Sequence, residues 1–282
     1  MIQTRTIPKL LETPVTWLPA TRVRAGSRGT EEAPVPVLLG AFEGLPGELD
    51  ALLVTSDLQG HDLTDEPVLL GISVAQRLAR ERAEWMPDPA RTAVILPGDL
   101  YARPGLDRRG GLGDVQEVWA AFAEAFHSVT GVAGNHDGFF GRADLSRCPG
   151  TVCEAVLDGA VRSIGGLGIG GVSGVIGTSR RPWRRRFEDW RSRAAKALVG
   201  ADILVLHHGP SIAAERRDGS WELEQHFAGR GANPLIVCGH RHWREPFAET
   251  AWGQVLNVDW RVVLLVRPER LAALVSGGHA DA

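Results

Sequence analysis

Hydrophobic residues from position 51 onward form short runs that alternate with segments of helical spacing. Uninterrupted apolar runs of about four to eight residues are typical of buried strands, whereas apolar residues at every third or fourth position indicate amphipathic helices. The pattern predicts strands at 51–56, 92–97, 128–134, 202–207, 234–240, 253–259 and 261–266. It predicts helices at 71–85, 114–126, 186–199 and 221–230, and further strands in the glycine-rich, β-branched segment 160–177.

The order of these elements predicts the fold class and the domain organisation. Strands alternate with helices early in the chain and pair as hairpins late, which predicts an α/β protein of two sheets with helices outside. The first 45 residues contain five prolines that interrupt any longer periodicity, Pro8, Pro14, Pro19, Pro34 and Pro36. We therefore expect an irregular segment at 1–45 that packs on a single domain at 46–270, followed by a C-terminal tail at 271–282.

Composition and charge narrow the class of protein. The chain has 282 residues, of which 44% are hydrophobic, and a net charge of −3, so no global positive field recruits nucleic acid or membranes. Its three cysteines, Cys148, Cys153 and Cys238, lack C-x-x-C spacing, and no apolar run approaches the roughly 20 residues that span a bilayer. The N-terminal residues lack the continuous apolar stretch of a signal peptide. These features predict a soluble, cytoplasmic protein without a membrane partner.

Side chains with metal-binding chemistry follow five of the predicted strands. In chain order they are Asp57 and Gln59; Asp99; Asn135, His136 and Asp137; His207 and His208; and His240 and His242. Ligands in open α/β sheets bind beyond the carboxyl ends of the strands, so we expect these side chains to converge in one crevice.

The convergent set holds too many donors for one ion. Its carboxylates, amides and imidazoles fit two ions that share a bridging carboxylate, and this mixture of oxygen and nitrogen donors suits Mn²⁺, Fe or Zn²⁺. Two such ions about 4 Å apart can hold a bridging hydroxide in line with a phosphate. The predicted cofactor is therefore a pair of divalent metal ions.

The five blocks, taken together and in order, carry a family resemblance. The series Asp57-x-Gln59, Gly98-Asp99, Gly134-Asn135-His136-Asp137, His207 and Gly239-His240-Arg241-His242 resembles the calcineurin-like metallophosphoesterase superfamily. The pattern of that superfamily is D-x-H, GD, GNH[DE], H, GH-x-H, and four of the five blocks here match without alteration. The resemblance implies a four-layer α/β/β/α sandwich of two mixed sheets flanked by helices. It also implies hydrolysis of a phosphomonoester or phosphodiester of a small molecule or nucleotide, with a bridging hydroxide as the nucleophile.

The resemblance also implies a role for each residue. Asp99 would bridge both ions. Asp57, position 59 and His242 would complete the first ion, and Asn135, His207 and His240 would complete the second. His136 would protonate the leaving group, and Asp137 would orient or tune its ring.

Two positions leave alternatives open. Gln59 stands where the family has histidine, and a neutral oxygen donor there favours Mn²⁺; His61, two residues on, is the alternative ligand. Between His207 and His208, His207 is favoured because it directly follows the predicted strand.

Three further features have competing interpretations. Segment 180–186, "RRPWRRR", offers arginines for a phosphate or a nucleic acid, although a solvated loop is the simpler explanation. Cys238 precedes His240 and His242 at two-residue spacing, but a cysteine that ends an apolar run is typically a small buried hydrophobe. Trp243 follows His242 and is the tryptophan expected to border the pocket.

The leading functional hypothesis is an active dinuclear metallophosphoesterase. The alternative is an interaction module that keeps the fold but has lost tight metal binding. Retention of His136 favours the enzyme, because a proton donor that binds no metal has no evident structural duty.

Overall fold

The computed structural model describes residues 5–24, 29–62, 68–108, 110–139, 155–178 and 181–277. Five helices lie in this part of the chain: α1 Leu70–Arg80, α2 Gln116–Ala125, α3 Phe187–Ala197, α4 Trp221–Arg230 and α5 Pro268–Gly277. Within the same residues, no helix is long and apolar enough to cross a membrane.

The strands of the described residues are numbered in chain order. They are β1 Lys9–Leu10, β2 Thr16–Leu18, β3 Thr21–Val23, β4 Thr30–Glu32, β5 Val35–Ala41, β6 Ala51–Ser56, β7 Gly60–His61, β8 Thr92–Leu96, β9 Gly113–Asp114, β10 Ser128–Gly131, β11 Asp137–Gly138, β12 Ala160–Ile164, β13 Leu167–Val172, β14 Val175–Ile176, β15 Arg184–Arg185, β16 Ile203–His208, β17 Leu235–Gly239, β18 Phe247–Thr250, β19 Gly253–Asn257 and β20 Arg261–Val266.

Two large mixed sheets form the centre of the fold. The first has the order β1-β5-β20-β6-β8-β10, with β2 also paired to β5, and the second has the order β12-β13-β16-β17-β19-β18. Strands β6, β8 and β10 run parallel in the first sheet, and β13, β16, β17 and β19 run parallel in the second. The carboxyl ends of each parallel set therefore lie along one edge of its sheet.

Alternate residues along each strand pack on opposite faces of its sheet, and this produces the layers of the fold. Leu52 and Val54 of β6 pack with Ile203 and Val205 of β16 between the sheets, while Leu53 packs outward in the cluster that contains α1 and α2. The other face of the second sheet packs against α3 and α4 through residues such as Trp190 and Phe227. Because successive strand residues point to opposite faces, each sheet buries both faces. The predicted α/β/β/α sandwich is confirmed.

The N-terminal segment differs from its prediction. Residues 35–41, expected to be irregular, form β5, an internal strand of the first sheet between β20 and the β1–β2 edge. The prolines do not prevent this, because Pro34 precedes the strand and Pro36 is its second residue, where a missing N–H costs little. The predicted domain boundaries themselves stay a prediction.

The late strands also pair differently from the expectation. Strand β19 forms its hairpin with β18, which the hydrophobic pattern did not predict, and β20 joins the other sheet between β5 and β6. The chain crosses between the sheets at Trp260, whose φ is 54° and whose N–H donates to the Ser56 carbonyl at 3.2 Å. This crossing brings the end of the second sheet against the end of β6.

Candidate metal centre

The site lies where the carboxyl ends of the two parallel strand sets meet. Three of its residues, Asp57, Asp99 and His240, have left-handed backbone conformations, with φ of 58°, 55° and 68°. Each costs on the order of 1 kcal/mol for a residue with a side chain, and such strain concentrates at functional sites. The backbone thus turns sharply just beyond β6, β8 and β17 and delivers these side chains to one place.

Asp99 is the centre of the site. Its Oδ2 lies 3.3 Å from Nε2 of His207 and accepts a 2.9 Å hydrogen bond from the Gln59 side-chain amide. Its Oδ1 accepts a 2.9 Å hydrogen bond from the backbone N–H of His136. Ligand atoms of Asp99, His207 and His240 all lie within 4.8 Å of one another. A single ion can therefore reach all three.

A contact at Nδ1 orients the His207 ring so that Nε2 faces Asp99. Nδ1 lies 2.8 Å from the Pro97 carbonyl oxygen and donates to it, so in the neutral ring Nε2 carries the lone pair that a metal ion would bind. The side chain is fully buried, and among the described residues Nε2 has no hydrogen-bond partner. His208, the alternative ligand, lies outside the group of mutually close ligand atoms, with its ring 4.9 Å from that of His240.

The buried carboxylate of Asp99 favours a cation beside His207 and His240. Burial opposes the charge on Asp99, but His207, His136 and His240 outweigh it and lower the pKa of this carboxyl. Burial likewise opposes the charge on His207, yet the neighbouring Asp99 raises the pKa of this imidazole to about 10. Burial, aided by His207, lowers the pKa of His240 to about 2 and keeps its imidazole neutral, the form that binds metals. In the ion-free protein a protonated His207 supplies the positive charge that a metal ion would otherwise bring.

Asn135 offers an oxygen donor beside this group. In the part of the chain that the structure describes, its Oδ1 is buried without a hydrogen-bond partner. A buried, unsatisfied carbonyl oxygen is costly unless it has a partner such as an ion. Asn135, His207 and His240 are the residues predicted for the second ion, and their chemistry fits one.

The residues predicted for the first ion are less completely assembled. The Asp57 carboxylate is buried and is held by Ser56 Oγ and by the His240 N–H, which donates at 2.9 Å. Burial, and then the carboxylate of Asp259, raise the pKa of Asp57 well above its usual range. The His242 side chain is 57% exposed, and neither His242 nor Asp57 belongs to the group of close ligand atoms among the described residues.

His242 instead lies against Asp259, in the loop after β19, and Arg261, the first residue of β20. Its Nδ1 is 3.3 Å from Oδ1 of Asp259, and its Nε2 is 3.3 Å from Nη2 of Arg261. A guanidinium facing Nε2 competes with an ion for that lone pair. His242 therefore contacts these two residues, although the family pattern assigns it to the first ion with Asp57.

His136 is held by the backbone rather than by Asp137. Its Nδ1 lies 2.6 Å from the Gly111 carbonyl oxygen, and its Nε2 lies 3.9 Å from Oδ2 of Asp99. The ring is partly exposed beside the centre, as a proton donor to a leaving group requires. The described hydrogen bonds of the Asp137 carboxylate are to backbone N–H groups and not to this ring, so its orienting or tuning role stays a prediction.

Asp137 instead organises the backbone of the site. Its fully buried carboxylate accepts hydrogen bonds from the backbone N–H groups of Asp99, Leu100 and Gly134, at 2.8, 2.8 and 2.7 Å. Burial and the nearby Asp99 nevertheless raise its pKa to about 6. Asp137 thus joins the loops after β8 and β10 and fixes the position of Asp99.

The remaining candidates have structural surroundings. His61 is buried in the strand pair β3–β7, and burial lowers its pKa. Cys238 is buried in the core, where burial raises the pKa of its thiol. Neither belongs to the group of close ligand atoms in the described part of the chain.

The arginine-rich segment packs against the site loop. Trp183 is buried and donates from Nε1 to the Asp137 carbonyl oxygen at 2.7 Å, and Arg185 pairs with Asp158 at 3.2 Å. This part of the segment thus has structural partners, whereas Arg180 lies outside the described residues.

Asp259 and Arg261 lie at the site but are not among the candidates predicted from the sequence. The signal was available, because Asp259 follows the end of β19 just as the other candidates follow their strands. With Trp260, they line a cavity of about 740 Å³ that also reaches His242, Arg22 and Trp17. Trp243, expected to border the pocket, lines a separate cavity of about 510 Å³ on the other side of His242.

Comparison with known proteins agrees with this geometry. The family model described as calcineurin-like phosphoesterase matches residues 51–263, more than half of the chain. The chain belongs to the calcineurin-like phosphoesterase family. The match includes every block that carries the site, from Asp57 to His242, and extends to Arg261. A search of curated proteins finds no match to this chain.

Proposed function

We propose that this calcineurin-like phosphoesterase hydrolyses phosphomonoester or phosphodiester bonds with a dinuclear metal centre. The observation that supports it most directly is the buried His207 Nε2, which lies 3.3 Å from Oδ2 of Asp99 and has no hydrogen-bond partner among the described residues. This buried pair needs a positive charge between its two atoms, which a proton supplies in the ion-free protein and a metal ion would supply when bound. His240 is close enough to share the same ion.

The donor set fits two ions with different preferences. Asp99, Asn135, His207 and His240 supply mixed oxygen and nitrogen donors, suited to Mn²⁺, Fe or Zn²⁺. Asp57 and Gln59 supply only oxygen donors, which favour Mn²⁺ at the first ion. When bound, the two ions would lower the pKa of a water molecule and neutralise the charge of the phosphate.

Residues of the chain supply the rest of the chemistry. Asp99 would bridge the two ion positions. His136 is held through Nδ1 by the Gly111 carbonyl, and its partly exposed ring places Nε2 3.9 Å from Oδ2 of Asp99. From there Nε2 would donate a proton to the leaving oxygen. Asp137 keeps the Asp99 backbone in place through three N–H bonds, so its contribution is positional.

We propose a small-molecule or nucleotide phosphoester as the substrate. The cavity of about 740 Å³ beside His242 has the volume of a small-molecule site. It is lined by the indoles of Trp17 and Trp260 and by Arg22, which pairs with Glu31 at 2.9 Å. The net charge of −3 and the pairing of Arg185 with Asp158 do not favour a nucleic acid. Cytoplasmic location stays a prediction of the sequence.

An interaction module without catalysis is the second candidate. It is favoured by the exposed side chain of His242, which contacts Asp259, and by the side-chain amide of Gln59, which donates a hydrogen bond to Asp99. Both features weaken the first ion position and leave the second intact.

The two candidates are separated by metal analysis joined to hydrolysis of aryl phosphomonoesters and phosphodiesters. The enzyme hypothesis predicts bound metal, hydrolysis that a chelator abolishes, and recovery on addition of Mn²⁺. Protein that binds metal but hydrolyses neither class of ester is the result expected of an interaction module.

A further inference from the structure

The buried carboxylate of Asp259 lies at the edge of the metal centre. Its side chain is only 5% exposed, and in the part of the chain that the structure describes its buried Oδ2 has no hydrogen-bond partner. Its Oδ1 lies 3.3 Å from His242 Nδ1. A buried carboxylate oxygen left without a partner is costly, so this position calls for a cation.

The backbone fixes Asp259 beside Asp57. Residues Ser56 and Asp259 form a bridge between the two sheets, and the next residue, Trp260, donates its N–H to the Ser56 carbonyl at 3.2 Å. This bridge places Asp57, the residue after Ser56, next to Asp259 along the paired backbone.

Arg261 does not relieve this charge through its hydrogen bonds. Its Nε donates to the backbone carbonyl of Asp259 at 3.2 Å, and its Nη2 donates to the carbonyl of Trp243 at 2.6 Å. The same Nη2 faces both ring nitrogens of His242 at 3.3–3.4 Å. The guanidinium thus faces the imidazole, and none of these hydrogen bonds is made to the Asp259 carboxylate.

We propose that Asp259, and not His242, completes the ligands of the first metal ion. The inference rests on the proposed function and makes the first ion an all-oxygen site of Asp57, Gln59, Asp99 and Asp259. Three carboxylates then face two divalent ions, so the excess negative charge of the ion-free site is neutralised on loading. A carboxylate ligand from Asp259 in place of the His242 imidazole would explain both the glutamine at position 59 and the exposed position of His242. A hard, oxygen-only site selects Mn²⁺ or Mg²⁺ over Zn²⁺.

Matched variants test the assignment through metal binding. The full-length chain would be stripped with a chelator and titrated with Mn²⁺ by calorimetry, comparing wild type, Asp259→Asn and His242→Ala. We expect Asp259→Asn to weaken the weaker Mn²⁺ site by about 100-fold, and His242→Ala to change it by less than about threefold. Asp158→Asn, which removes a carboxylate paired with Arg185 and Arg193, is the control and should leave both sites unchanged.

The stability of the ion-free protein gives a second readout. Removing one of two repelling buried carboxylates should raise the thermal midpoint of metal-free Asp259→Asn, or leave it unchanged, and should reduce the rise that Mn²⁺ causes. If Asp259→Asn does not fold, Asp259→Ser provides the same loss of charge with a smaller side chain.

The outcomes separate this inference from the proposed function. Wild-type protein that binds no metal would overturn both. Wild-type protein with two Mn²⁺ sites, both kept in Asp259→Asn, would overturn only the role of Asp259. An equal loss in His242→Ala and Asp259→Asn would overturn it as well, because Asp259 would then act only by holding His242.

Discussion

The side-chain amide of Gln59 donates a 2.9 Å hydrogen bond to Oδ2 of Asp99. The position at which the family has a metal-binding imidazole therefore presents a hydrogen-bond donor to the bridging carboxylate in the ion-free protein. An ion at this position requires the amide to turn and present its oxygen, which adds a cost to binding that an imidazole does not have. The first ion is accordingly expected to be the weaker of the two.

Gln59→His should tighten the first ion and shift its preference from Mn²⁺ toward Zn²⁺ or Fe. The imidazole supplies a nitrogen donor, which later divalent ions prefer, and it removes the hydrogen bond that ties position 59 to Asp99. Titration of chelator-stripped protein with Mn²⁺ and Zn²⁺ measures the change. Gln59→Ala is the control, since it removes the amide without adding a ligand. An unchanged weaker-site affinity in Gln59→His would mean that residue 59 never contacts the ion.

His136→Ala should keep the metal content and lower turnover by about 10²–10⁴-fold, the usual contribution of a general acid. The ring is assigned to neither ion, and its Nε2 lies 3.9 Å from Oδ2 of Asp99, so its loss removes a proton donor and not a metal ligand. Metal analysis and steady-state kinetics on the same preparation give both values.

The leaving group provides the control for His136. Esters whose leaving group has a low pKa need no proton, so the loss of turnover should shrink as that pKa falls. Equal losses across a series of aryl esters would argue that His136 acts by some route other than proton donation.

Asp137→Asn should lower the free energy of unfolding of the metal-free protein by about 3 kcal/mol, because an amide cannot accept three N–H bonds and turns its own N–H groups toward them. Urea unfolding followed by circular dichroism measures this. Asp202→Asn is the matched control: that carboxylate accepts one backbone N–H, from Gly168 at 2.8 Å, so the loss should stay below about 1 kcal/mol. Comparable losses in both variants would remove the organising role assigned to Asp137.

Much of the fold and of the site follows from local sequence patterns. The apolar run 51–56 and the helical spacing of 221–230 coincide with β6 and α4, since burial on both faces of a strand and on one face of a helix leaves a clear pattern. Asp99 and His240 were found because each follows a strand, and His207 because it lies near the end of one. Parallel strands end at a common edge.

What the sequence did not reveal depends on contacts between distant segments. The crossing at Trp260 that sends β20 to the first sheet leaves no local pattern, and it is this crossing that brings Asp259 beside Asp57. The partner of the His136 ring is a backbone carbonyl, that of Gly111, which any residue type could provide. The three backbone N–H groups that donate to Asp137 could not be predicted either, because two of them lie in the distant loop after β8.

Asp99→Asn tests the central claim most directly, because Asp99 is the one carboxylate assigned to both ions. A neutral amide in place of this carboxylate neither balances two cations nor fixes their separation. The measurement is metal stoichiometry together with the rate of aryl phosphoester hydrolysis, on protein whose thermal unfolding shows that it is folded. The account predicts that Asp99→Asn binds one ion or none and has no measurable hydrolysis above the metal-free wild type. Two bound ions with a near-normal rate would contradict the account.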